Sequence, residues 1–191
     1  MALTISTPSQ DSLKALEAAA GQFSGVINIS QALHANASEG TLPHQVFTVG
    51  LTDLNDRSWV EKAQLVGWRY LLQGQNGVAM AAEVNASSLG DQGVSLNEGP
   101  FVEQTADLLA DARASRNVED GDYEFAVLRI PAIYVMALWL KSRNSGDDIF
   151  IPMGPTLEEL EPGREYRLDE ITPILVAAAK DALAFDSAPR S

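Results

Sequence analysis

The 191-residue sequence contains no cysteine. This absence excludes disulfide bonds, thiolate metal ligands and cysteine nucleophiles. The first ten residues also lack the basic charge and the apolar core of a secretory signal. The longest apolar run, Ile130 to Leu140, is too short to span a bilayer. We therefore expect a cytoplasmic protein that does not enter a membrane.

Basic residues are also scarce. Lys and Arg number 13 against 26 Asp and Glu, which gives a formal net charge of −13. Nucleic acids and anionic membrane surfaces are bound largely through Lys and Arg, so we expect neither as a partner. We interpret the acidity mainly as a source of solubility, with attraction of a basic partner as the alternative.

Motifs that carry catalysis or bind cofactors are missing too. The two histidines, His34 and His44, match no metal-ligand spacing, and Ser24 and Ser95 lie outside any Gly-x-Ser-x-Gly elbow. The glycines form neither a phosphate-binding loop nor a dinucleotide fingerprint. The acidic runs lack the calcium-loop pattern and are typical of solvated turns. The sequence therefore predicts no catalytic residue, no cofactor and no metal site.

The composition is that of a folded chain, with 46% apolar and 20% charged residues. Strand and helix patterns follow one another without a linker, which predicts a single α+β domain over residues 11–185. A flexible N-terminal segment, 1–10, and a flexible C-terminal tail, 186–191, are expected on either side. We predict a mainly antiparallel mixed sheet of about five strands with helices packed on one face.

Individual elements are predicted from hydrophobic period and from capping residues. Four helices are predicted. The first begins at 11 or 12 and ends at 23, the second covers 59–65, the third covers 100–114, and the last begins near Asp169 or Thr172. Ser58 and Glu61 match a capping box for the second of these helices. The predicted strands are 45–51, 68–73, 78–84, 123–130, 132–141 and 148–153, with shorter candidates at 94–96 and 166–168. For 132–141, a buried helix starting at Pro131 is the alternative, which the β-branched and aromatic content disfavours.

The clearest local pattern is a β-hairpin over residues 68–84. Asn76-Gly77 supplies the positive φ values that a tight hairpin turn requires. A two-residue loop at 76–77 and a four-residue loop at 74–77 both fit, and they pair different residues. Glu83 lies inside an apolar strand, and we expect it to pair with Arg69 across the hairpin.

Aromatic side chains are the remaining candidates for a binding surface. At strand spacing they more often belong to the core than to a pocket or an interface. The six that we considered are Trp59, Trp68, Trp139, Tyr70, Tyr123 and Tyr134.

Two hypotheses of function follow. The first is a non-catalytic protein-interaction or assembly protein, with self-association as a homo-oligomer among its forms, because no catalytic constellation accompanies the apolar strands. The alternative is a small-ligand-binding protein or an enzyme. Its contact residues would be Trp68, Arg69, Tyr70 and Glu83 in a sheet pocket, or an acid/base pair of His44 and Asp53.

Overall fold

A computed structural model describes residues 3–19, 41–73, 79–86, 93–144 and 147–186. Its helices are α1 (Gln10–Ala19), α2 (Pro100–Ala114), α3 (Arg116–Glu119) and α4 (Leu168–Asp186). Its strands are β1 (Thr4–Ile5), β2 (Thr41–Thr48), β3 (Gln64–Gln73), β4 (Ala79–Asn85), β5 (Val94–Asn97), β6 (Tyr123–Ile130), β7 (Val135–Ser142), β8 (Ile149–Pro152) and β9 (Tyr166–Arg167). The predicted turn at Asn76-Gly77 lies outside the described residues.

The described strands form one mixed sheet in the order β5-β4-β3-β2-β6-β7-β8-β9, and β1 also pairs with β6. An α+β fold built on a single sheet is therefore confirmed, but the sheet has nine strands rather than about five. β1 and β9 contain only two residues each. Strands this short form by pairing with the backbone of a neighbouring strand, and they are too short to show an alternating hydrophobic pattern in the sequence. β1 lies within the segment 1–10. β2 and β6 run parallel at the centre, and the remaining neighbours in the order are antiparallel.

Helices cover both faces of the sheet, so the prediction of helices on one face is wrong. α2 packs on one face, which we call the α2 face, where Leu109 joins Phe125 and Val127 of β6. α4 packs on the opposite face, the α4 face, where Leu175 joins Leu128. The physical reason is visible in β6, whose side chains are apolar and buried at nearly every position. A strand buried on both sides needs a covering layer on each.

The long helix α2 and the strand β6 have the predicted bounds, 100–114 and 123–130. The strand interpretation of 132–141 is confirmed from Val135 onward. Before it, Pro131–Ile133 forms a short 3₁₀ helix, which makes the β6–β7 connection tighter than a bent strand. The hairpin register, with Gln73 opposite Ala79, matches neither of the two pairings that the predicted loops give, and the loop itself lies outside the described residues.

The predicted helix over 59–65 is a 3₁₀ helix over Arg57–Lys62. Its cap is Asp56, whose side chain accepts a hydrogen bond from the Ser58 amide at 2.7 Å, so the predicted Ser58 cap is wrong. Gly67, two residues beyond the predicted helix, lies inside β3. A Cβ at Gly67 would stand 2.5 Å from the Val84 carbonyl oxygen, so the close approach of β4 requires glycine there.

Candidate functional site

Four polar side chains from four neighbouring strands meet on the α2 face. His44 of β2 is the cross-strand partner of Arg69 of β3, and Arg69 is the partner of Glu83 of β4. Arg129 of β6 reaches the same carboxylate. We call these four residues the polar cluster. It adjoins the apolar contact of α2 with Leu71 and Ala81, which are the next residues on the same face of β3 and β4.

Glu83 is held between the two guanidinium groups of the polar cluster. Arg69 Nε donates to Glu83 Oε1 at 2.6 Å, and Arg129 Nη1 donates to Glu83 Oε2 at 3.0 Å. Arg129 Nη2 also donates to Glu83 Oε1. Burial alone would raise the pKa of Glu83, but the hydrogen bonds and charges of Arg129 and Arg69 outweigh it and hold the pKa below its usual value. The carboxylate is therefore ionised at neutral pH.

His44 completes the polar cluster as a neutral group. Its side chain is fully buried, and its ring lies 4.5 Å from the ring of Phe125. Burial is the main reason that its pKa falls to about 3, and the nearby charge of Arg69 acts in the same direction. Nδ1 lies 2.9 Å from the Leu42 carbonyl oxygen. Because a carbonyl only accepts, Nδ1 carries the proton and Nε2 keeps a free lone pair.

The polar cluster leaves three buried nitrogen atoms without a hydrogen-bond partner among the described residues. They are His44 Nε2, Arg69 Nη1 and Arg129 Nε. Two guanidinium charges against one carboxylate, with neutral His44, also leave one positive charge uncompensated. Unpaired buried polar atoms are rare in folded proteins, so three in one place mark this cluster as unusual.

The structure brings together two of the four contact residues that the sequence suggested. The expected pair of Arg69 and Glu83 is confirmed as a cross-strand ion pair. Trp68 and Tyr70 project from the other face and pack with Leu16 of α1. The Tyr70 hydroxyl is hydrogen bonded to Ser12, so its polar atom serves the packing of that helix.

Sequence reasoning did not find Arg129 as a member of the polar cluster. A charged residue inside an otherwise apolar strand was the available signal, as it was for Glu83. Its partner comes from β4, which is separated from β6 in the sheet by β3 and β2, and no local pattern gives that order.

The suggested pair of His44 and Asp53 is not formed. Asp53 lies in the 3₁₀ turn Leu51–Asp53, which contacts α4, whereas His44 lies on the α2 face. His34 lies outside the described residues. Among the residues that are described, no three His, Asp or Glu side chains lie close enough together to hold a metal ion.

A second feature is an open groove of about 370 Å³ beside the β6–β7 connection. The alanines of α4 leave space because their side chains end at Cβ. Tyr134 and Ile133 also line the groove, and Glu159 and Asp181 supply its acidic groups. We call it the Tyr134 groove; it is lined by Ala132, Ile133, Tyr134, Leu157, Glu159, Ile174, Ala177, Ala178, Asp181 and Ala182.

Tyr134 is exceptional in both backbone and exposure. Its φ of 55° and ψ of 33° lie in the left-handed helical region, where a bulky residue is rare. Its side chain is 85% exposed. The other five aromatic residues considered from the sequence are all buried: Trp59, Trp68, Tyr70, Tyr123 and Trp139.

Comparison with protein-family models, with curated proteins and with solved structures finds no match to this chain. Within the described part of the chain, no helix has both the length and the apolar character needed to cross a membrane.

Proposed function

We propose that this chain is a non-catalytic interaction protein that binds a segment of another protein in the Tyr134 groove. The observation that supports the proposal is the exposure of Tyr134 in a left-handed conformation beside an apolar groove. Tyrosine is among the residues that contribute most to binding at protein interfaces. Among the described residues, Tyr134 and Phe185 are the exposed large aromatics, and Tyr134 is the one of the two that lines the groove and can act as an anchor there.

The conformation of Tyr134 has an energetic cost. A residue with a Cβ is destabilised by about 1–2 kcal/mol in the left-handed helical region relative to its preferred conformations. Glycine would avoid that cost. A strained and exposed aromatic side chain supports a role in recognition, because it contributes little to the core that surrounds its backbone.

The chemistry of the groove defines its partner. The apolar lining, with Ile174 and Leu157, fits an apolar side chain. Glu159 and Asp181 at the same groove fit Lys or Arg next to that anchor. The partner is therefore a protein segment with an apolar anchor flanked by basic residues.

A second copy of this chain suits the groove less well. Each copy has a formal net charge of −13, so two copies repel each other, while a basic segment is attracted. Pairing through sheet edges is also disfavoured, because the edge strands β5 and β9 contain four and two residues.

Peptide selection tests this proposal directly. Random peptides displayed on phage are selected against the full chain, and the affinity of the recovered sequences is measured by fluorescence anisotropy. We expect apolar residues flanked by Lys or Arg. Loss of an interface anchor costs about 2 kcal/mol or more, so Tyr134→Ala should weaken binding by more than about tenfold. Ala178→Leu, which fills the groove, should weaken it as well.

Phe185→Ala is the matched control, because Phe185 is 86% exposed and does not line the groove. Peptides that bind Tyr134→Ala and Ala178→Leu as tightly as the wild type would contradict the proposal. A dimer in light scattering that Tyr134→Ala dissociates would also overturn it, since the occupant would then be a second copy.

A further inference from the structure

The polar cluster has more hydrogen-bond donors than its own members can use. Glu83 Oε1 accepts from Arg69 and Arg129, and Oε2 accepts from Arg129, yet Arg69 Nη1 and Arg129 Nε have no acceptor among the described residues. Arg69 is only 3% exposed, so bulk water does not solvate its free donor. A buried donor without a partner costs about 1–3 kcal/mol, and more when it is charged.

The charge balance points the same way. Two guanidinium groups face one carboxylate, and His44 is neutral, so the polar cluster holds one excess positive charge. Buried charges in proteins are ordinarily paired. A single negative charge would complete both the charge balance and the unused donors of Arg69 and Arg129.

Two members of the polar cluster reach solvent. Arg129 is 24% and Glu83 is 13% exposed, whereas Arg69 and His44, on the two strands between them, are buried. Ser95, the cross-strand partner of Glu83 on the edge strand β5, is exposed. The three unpartnered nitrogens are themselves buried, so an ion meets Arg129 and Glu83 first and reaches those nitrogens when the partly exposed Arg129 side chain moves aside.

His44 restricts the kind of anion. With its proton on Nδ1, the free Nε2 is an acceptor and repels a fully deprotonated oxygen. It needs a partner that donates. A ligand that matches the polar cluster must accept from two guanidinium groups and donate one hydrogen bond to an imidazole, which describes an oxyanion that still carries a hydroxyl proton.

We propose that the polar cluster of His44, Arg69, Glu83 and Arg129 binds a protonated phosphate group, either as inorganic phosphate or as the phosphoryl end of a small metabolite. Arg69 and Arg129 donate to its oxygens, and His44 Nε2 accepts from its hydroxyl. The proposal keeps Arg69 and Glu83 from the sheet-pocket alternative and replaces Trp68 and Tyr70, which face the other side of the sheet, with His44 and Arg129. It is independent of the Tyr134 groove.

Isothermal titration calorimetry on the full chain tests the proposal with three probes at equal ionic strength. Inorganic phosphate should bind with one saturable site at neutral pH. Sulfate, which has no proton to donate to His44, should bind more weakly by about tenfold or more, the equivalent of one hydrogen bond to a charged group. Glycerol 3-phosphate, compared with inorganic phosphate at about pH 5 so that both carry a hydroxyl proton, distinguishes the two sources: tighter binding than phosphate identifies a metabolite, and weaker binding identifies the free ion.

Arg129→Gln should lower the phosphate affinity by about tenfold or more, because a charged donor is lost at the solvent side of the cluster. Arg57→Gln, which removes an exposed arginine paired with Asp169, is the control and should leave the affinity unchanged. An NMR measurement on the wild type needs no variant and so avoids any folding defect. In the wild type, the ¹⁵N chemical shift of His44 Nε2 should move on addition of phosphate and stay constant with sulfate.

Three results would overturn the proposal. The first is no saturable binding of phosphate or of glycerol 3-phosphate at millimolar concentration. The second is equal affinity for phosphate and sulfate. The third is an unchanged affinity in a folded Arg129→Gln protein.

Discussion

Proteins usually bury apolar side chains and expose charged ones, and the polar cluster and the Tyr134 groove depart from this rule in opposite directions. The polar cluster places two arginines and a glutamate against the sheet, where most neighbours are apolar. The Tyr134 groove places an aromatic ring in solvent, where most neighbours are polar or small. Folding physics alone favours neither arrangement.

The two departures differ in what stabilises them. The charges of the polar cluster are stabilised by one another, since Glu83 bonds to both arginines. Each member therefore depends on the others. Tyr134 has no such support, because its ring is exposed and its strained backbone is held by the short Pro131–Ile133 turn. We expect changes in the polar cluster to have large effects on stability and changes at Tyr134 to have small ones.

The largest expected effect is that of Glu83→Gln. The substitution removes the one negative charge between two guanidinium groups, and Arg69 stays buried without compensation. Breaking a buried ion pair by removing one partner costs about 3–5 kcal/mol. Urea unfolding of the variant and the wild type at neutral pH measures the free energy of unfolding.

Arg57→Gln is the matched control for Glu83→Gln. It breaks the pair of Arg57 with Asp169, in which both side chains are largely exposed, and exposed pairs contribute about 1 kcal/mol or less. If Glu83→Gln cost no more than this control, the polar cluster would be energetically a surface feature and the comparison would fail.

Much of the polar cluster follows from the sequence, and one part does not. Glu83 and Arg69 are charged residues at matching positions of a hairpin, and their pairing is expected from the strand period. Arg129 lies 46 residues further along the chain than Glu83, and it comes within reach because β2 pairs with both β3 and β6 and so joins β6 to the hairpin. The apolar run of β6 could likewise have indicated burial on both faces, and hence helices on both faces.

The Tyr134 groove is harder to predict. Tyr134 lies among β-branched and aromatic residues that favour a strand, and β7 does begin directly after it. Its left-handed backbone depends on where β6 and β7 pair, with Ile130 opposite Val135. The groove also needs the alanines of α4, whose placement against the connection is a tertiary contact rather than a local pattern.

A second prediction concerns pH and His44. Its pKa is about 3 in the folded protein and 6.5 as the ordinary value. Below 6.5 the unfolded chain binds a proton that the folded chain does not, so stability is lost as the pH falls toward 3. The loss is about 1.4 kcal/mol per pH unit, or about 2 kcal/mol between pH 6.5 and about pH 5.

The measurement is the difference in unfolding free energy between wild type and His44→Gln at several pH values above about 5, where most carboxylates stay ionised. His34 is present in both proteins and cancels. The advantage of the wild type should shrink as the pH falls. A constant difference would show that His44 is accessible to protons in the folded state, and that the polar cluster is less buried than the comparison requires.

The smallest expected effect is at Tyr134, and its sign is the test. Tyr134→Gly should be more stable than Tyr134→Ala by about 1 kcal/mol, because glycine adopts the left-handed conformation without a Cβ clash. At Lys180, an exposed position inside α4, the same pair of substitutions should give the opposite order, with glycine less stable by about 1 kcal/mol. Thermal and urea unfolding of the four variants measure both differences.

If alanine were the more stable residue at both positions, Tyr134 would not be strained. The Tyr134 groove would then differ from the polar cluster only in exposure, and the argument from strain to recognition would be lost.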